Sequence, residues 1–126
     1  MNPRGGIGLL LRAEEVAVCL TGIALWLGWH GSAAWLVPAL LAPDLGAIGY
    51  VAGPRIGALT YNATHNLVVV LAAMGVGSWA DMPGLALAGA IGLAHIGGDR
   101  ALGYGLKLST SFQDTHLGRI GRPRQS

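Results

Sequence analysis

Four side chains in this 126-residue sequence join ligand chemistry to helical spacing: Asp44, His65, His95 and Asp99. Two imidazoles and two carboxylates form a donor set that suits zinc, iron or manganese. His95 and Asp99 stand four apart, as do Tyr61 and His65, and Asn62 stands three before His65, so on helices each pair projects from one face. A divalent transition metal held by the four would lower the pKa of a bound water towards 7, with Glu15 or Asp114 as candidate general base. Tyr61, Asn62, Arg100, Tyr104 and His116 are the supporting polar residues. A plainer reading competes, in which the same groups are hydrogen-bond glue between helices. No soluble zinc signature such as His-Glu-x-x-His accompanies them.

The elements that would position these residues are set by composition. Only 11% of the chain is charged and 52% is hydrophobic, and the apolar residues fall in blocks of about 20, the length that crosses a bilayer core. The expected fold is therefore all-α: a polytopic membrane protein of four transmembrane helices in a bundle, one domain over residues 1–126. The spans are placed at about 13–29, 33–52, 56–76 and 85–104. Pro38 and Pro43 should kink the second, Gly53-Pro54-Arg55 makes a turn, and Gly103-Tyr104-Gly105 ends the fourth. Trp26, Trp29, Trp35 and Trp79 mark interfaces, and residues 106–126 form a polar, basic tail. Within that tail Asp114-Thr115-His116 either caps the site or stays flexible.

All eight basic residues, Arg4, Arg12, Arg55, Arg100, Lys107, Arg119, Arg122 and Arg124, lie near the start, the centre or the end of the chain. With four spans these regions share a side, so the positive-inside rule puts both termini and the central loop in the cytoplasm. The basic balance is thus a topology signal, and no nucleic-acid partner is expected. The single cysteine, Cys19, excludes an intrachain disulfide, and Glu14 and Glu15 interrupt what would otherwise imitate a signal peptide. Asn62-Ala63-Thr64 fits a glycosylation pattern but falls inside a span, where it is inert.

Charged groups in hydrocarbon cost about 2.5 to 3.5 kcal/mol each, so the buried ones need a common purpose. Asp44 lies nine residues before the Gly53 turn and His65 ten after Arg55, which places both roughly 13 to 15 Å from the cytoplasmic end of their spans. His95 and Asp99 fall in the same half, and convergence of all four on one point is expected. Ala86, Ala90, Ala94 and Gly98 form a small-residue stripe suited to a helix neighbour or a second protomer, and a homodimer is expected.

Several ordered stretches carry a resemblance: Ala42-Pro43-Asp44-Leu45, Gly49-Tyr50, Gly53-Pro54-Arg55-Ile56-Gly57, Tyr61-Asn62 with His65, Ala94-His95-Ile96-Gly97 with Asp99-Arg100, Leu102-Gly103-Tyr104-Gly105-Leu106-Lys107, Phe112, and Asp114-Thr115-His116-Leu117-Gly118. Over nearly its whole length the chain resembles the small bacterial membrane proteins of domain-of-unknown-function family 4260. The resemblance implies a complete protein and brings no activity with it. Asn66 departs from the pattern, where an apolar or aromatic residue is expected.

Three functions follow from these readings. The first is a divalent-metal-dependent, hydrolase-like membrane enzyme acting on an unidentified substrate. The alternatives are a proton- or cation-coupled small transporter or channel and a non-catalytic membrane subunit.

Overall fold

The computed structural model describes residues 6–107 and 114–120. Among these, five α-helices, one 3-10 helix and a short hairpin make an all-α fold: α1 (Gly6–Gly28), α2 (Leu36–Leu41), the 3-10 helix (Ala42–Ala52), α3 (Pro54–Thr64), α4 (Leu67–Trp79), α5 (Pro83–Leu102), and the antiparallel pair β1 (Asp114–Thr115) and β2 (Gly118–Arg119).

Helix α5 is central, buried from Ala86 to Gly97 apart from Leu87 and Ala88. Helices α1 and α4 lie against it, and glycine lets the backbones approach. A Cβ on Gly22 of α1 would stand 2.4 Å from the Ala94 nitrogen, one on Gly97 2.4 Å from the Cys19 nitrogen, and one on Gly77 of α4 2.4 Å from the Ala86 nitrogen. Val70, Leu93 and Ile96 form the apolar centre beside α4. The stripe expected to face a neighbour is therefore occupied within the chain, with Ala90 and Ala94 fully buried.

The rest of the fold is irregular. Residues 33–52, expected as one kinked span, form the short α2 and then an 11-residue 3-10 helix. Pro43 lacks the N–H that a regular helix would use there. This stretch packs on α3, where the Thr60 hydroxyl donates to the Gly46 carbonyl (2.6 Å) and the Thr64 hydroxyl lies 2.9 Å from the Pro43 carbonyl. The expected third span is two helices meeting at 41°, broken at His65 and Asn66. Asn66 caps α4: its side chain accepts from the Val69 N–H at 2.9 Å.

Among the described residues no single helix is long and apolar enough to cross a membrane, and one bent pair, α3 with α4, passes by length and composition. Helix α1 has the length but carries Arg12, Glu14 and Glu15.

The chain after α5 returns to the bundle. Gly103 adopts a left-handed φ of 99° and ends the helix as expected. The Asn62 side chain then clamps the Lys107 backbone, accepting from its N–H (2.6 Å) and donating to its carbonyl (2.7 Å). Lys107 bridges to Thr115, and both are 4% exposed. The start of the expected tail is thus packed at Lys107. Arg4, Phe112, Arg122 and Arg124 lie outside the described residues.

Candidate metal centre

Asp44, His65, His95 and Asp99 come from three separate pieces of backbone. His95 and Asp99 sit on the regular helix α5 at i and i+4; Asp44 lies in the first turn of the 3-10 helix, and His65 is the residue at which α3 ends. One ligand atom from each lies within 4.8 Å of all the others, so the four together could hold a metal ion.

Five of the separations are resolved. His65 Nε2 is 3.1 Å from His95 Nε2 and 3.2 Å from Asp44 Oδ1, while His95 Nε2 is 3.0 Å from Asp44 Oδ1 and 3.2 Å from Asp99 Oδ2. His65 Nε2 and Asp99 Oδ2 are 3.8 Å apart. Ligands about 2.0 to 2.1 Å from a tetrahedral ion stand about 3.3 Å from each other, so the cluster already has the dimensions of such a shell. The imidazoles are buried, whereas Asp99 is 23% and Asp44 53% exposed.

The far side of each ring explains its orientation. A carbonyl oxygen only accepts, so a ring nitrogen facing one must carry the proton. His95 Nδ1–H donates to the Leu40 carbonyl. Pro43, three residues after Leu40, has no N–H to offer that carbonyl in a 3-10 turn. His65 Nδ1–H donates to the Tyr61 carbonyl at 2.8 Å, with the Thr64 hydroxyl oxygen also 2.8 Å away. In an unbroken α-helix the His65 backbone N–H would take the Tyr61 carbonyl; it bonds instead to Asn62, 3.2 Å away. Each helix irregularity thus presents a carbonyl to an imidazole.

With both rings neutral, the two Nε2 atoms are lone-pair acceptors facing two carboxylate oxygens. Four acceptors with no donor among them repel, and a positive charge at their centre resolves it: a metal ion, or protons added to the rings. Rings with Nδ1–H on backbone carbonyls and Nε2 turned inward have the arrangement of metal-ligating histidine.

A cleft of about 440 Å3 opens beside the cluster, lined by Asp44, Ala47, Tyr61, Asp99, Tyr104, Lys107 and Ile120. Tyr61 stacks on His65 with ring centroids 3.7 Å apart, and the Lys107 ammonium lies 4.7 Å from the Tyr61 ring centre. Burial pushes the Lys107 ammonium below its usual range, and the Asp99 and Asp44 carboxylates draw it back up.

The other expected site residues separate into those beside the cluster and those elsewhere. Tyr61, Tyr104 and Asn62 are beside the cleft or tie down its wall, and Arg100 lines a small gap with His65, Asp99 and Tyr104. His116 accepts the Leu106 N–H at 2.8 Å and so fastens the hairpin. Glu15 does not join the group: its backbone carbonyl packs on Gly97, two residues along α5 and about 200° of helical rotation from both His95 and Asp99. The backbone of Asp114 opens β1, and its side chain lies outside the described residues. Sequence reasoning missed Lys107 as a lining residue, although it closes the Leu102-Gly103-Tyr104-Gly105-Leu106-Lys107 stretch noted in the resemblance.

The model of the family described as Domain of unknown function (DUF4260) matches residues 8–120. The chain belongs to this family. All four cluster residues, the clamp at Asn62 and Lys107 and the described hairpin fall inside the matched segment. No curated protein and no solved structure matches the chain.

Proposed function

We propose that the protein is a membrane-embedded, divalent-metal-dependent enzyme of hydrolytic type, with Asp44, His65, His95 and Asp99 as the ligands. The observation that carries the reading is the inward pair of Nε2 atoms, 3.1 Å apart and flanked by two carboxylates, with both Nδ1 atoms on backbone carbonyls. The N2O2 set and its separations favour zinc over larger ions, with iron and manganese as the other suitable metals. The bound ion supplies Lewis acidity and lowers the pKa of a water. On the protein side, Asp44 is the carboxylate nearest solvent and the one placed to accept a proton at the cleft, while Tyr61 holds the His65 ring flat against it.

The membrane part of the proposal is supported by an apolar exterior. Leu45, Ile48, Val51, Leu59, Val68 and Trp79 are each at least 70% exposed, which is more large apolar surface than a soluble monomer tolerates. The distribution of the basic residues supports a bacterial inner membrane with both termini cytoplasmic. A homodimer would use these exposed faces, since Ala90 and Ala94 are already packed.

Metal analysis of detergent-purified protein tests the centre. One equivalent of zinc, iron or manganese is expected, together with metal-dependent cleavage in a screen of ester, amide and phosphate substrates. Protein that stays metal-free after dialysis against each ion overturns the reading in favour of rings charged by protons. Cysteines placed at Ser32, Ser78 and Ser126 test the orientation: labelling of whole cells should reach the first two and spare the last.

A further inference from the structure

The charges lining the cleft narrow the choice of ligand. Asp44 and Asp99 together carry two negative charges, a divalent ion between them cancels both, and Lys107 adds one positive charge to the same wall. With the ion bound, the described lining is therefore cationic; without it, the lining is anionic. Lys107 is also held in place. Its backbone is clamped at both polar atoms by Asn62, its residue is 4% exposed, and its ammonium rests on the Tyr61 ring that stacks on the ligand His65. A surface lysine would reach out to water. This one is positioned by the residues that build the metal site, at a cleft whose remaining lining is the apolar Ala47 and Ile120 and the phenols of Tyr61 and Tyr104.

We infer that the cleft binds a phosphate-type oxyanion between the metal and Lys107, with the apolar lining taking the group that the phosphate carries. This inference rests on the metal reading above. A tetrahedral oxyanion can give one oxygen to the ion and another to the ammonium, and each such charge-assisted contact is stronger than a neutral hydrogen bond. The ion gates the pocket, because its loss reverses the sign of the charge facing the ligand.

The test is calorimetric titration of zinc-loaded, detergent-purified protein with two probes, inorganic phosphate and dodecyl phosphate. Binding of at least one probe is expected, with loss on chelation of the zinc. Lys107→Met should weaken binding about tenfold or more at unchanged zinc stoichiometry, and Lys107→Arg should recover most of it. Lys107→Gln serves as a second neutral variant if methionine disturbs folding. Tighter binding of dodecyl phosphate supports the whole inference and assigns the oxyanion to an amphiphile headgroup; equal binding supports the contact with the metal and Lys107 and overturns the part given to the apolar lining. Zinc-loaded wild type that binds neither probe, or neutral variants that bind as well as wild type, overturns it and leaves the metal centre standing. Protein that takes up no metal overturns both.

Discussion

Two halves of the molecule each contribute one histidine and one aspartate, and they do so by opposite means. The α1, α4 and α5 half is regular: straight helices brought together by Gly22, Gly77 and Gly97, with His95 and Asp99 aligned simply because they are four residues apart. The half made of α2, the 3-10 helix and α3 is irregular, and its two ligands depend on the irregularity. Asp44 follows Pro43 into a 3-10 turn, and His65 stands where α3 stops. A helix in full hydrogen-bond register already commits one lone pair of each carbonyl to its own backbone. In this fold the regular half holds the ligands in line while the irregular half supplies the carbonyls of Leu40 and Tyr61 that aim the rings.

The strongest way to break this comparison is to remove a ligand from the regular half. His95→Ala should reduce bound zinc to background, an affinity loss of about a hundredfold or more, as read by elemental analysis after dialysis. Retention of wild-type stoichiometry would show that the other three residues hold the ion without His95.

A subtler change leaves every ligand in place. Pro43→Ala restores an N–H that competes for the Leu40 carbonyl, so His95 should lose part of its orientation. A zinc affinity about 10 to 100-fold weaker is expected in a chelator-competition titration. An unchanged affinity would separate the proline from the metal centre.

The packing of the regular half is tested by Gly22→Ala. The added methyl meets backbone at 2.4 Å, so unfolding in mild detergent should become easier by about 1 to 3 kcal/mol. Gly98→Ala, whose Cβ would meet only the Cys19 sulfur at 3.8 Å, is the matched control and should be nearly silent.

The smallest effect is expected from Asn66→Ala. It removes the cap on α4 and should cost about 1 kcal/mol of stability with metal content unchanged. Loss of metal in this variant would instead make the cap part of the His65 geometry.

This division also decides what could be read from the sequence. Spacing alone placed His95 and Asp99 on one face, and the ends of α5 fell within two residues of expectation because Pro83 and Gly103 punctuate it. Burial of polar groups at matching depth brought Asp44 and His65 into the same set. The break at His65 was not legible: Asn62 to Val70 is a plausible helix by composition, and the interruption depends on the imidazole taking a carbonyl from its own helix, a choice that needs the site on the other side of the ring. Pro43 was visible as a kink, but its effect on Leu40 required knowing that His95 comes to that carbonyl. The packing of Lys107 was not legible because a lysine beyond a helix end ordinarily remains in water, and only the Asn62 clamp draws it in.

The 3-10 helix also changes how far a given number of residues can reach. As an α-helix, the 17 residues from Leu36 to Ala52 would extend about 25 Å, short of a hydrocarbon core of about 30 Å. With six residues in α-helix and eleven in the narrower spiral, each of the latter rising about 2.0 Å, the same segment extends about 31 Å. Stretching the backbone in this way lets the segment cover a length for which an α-helix would need about 21 residues.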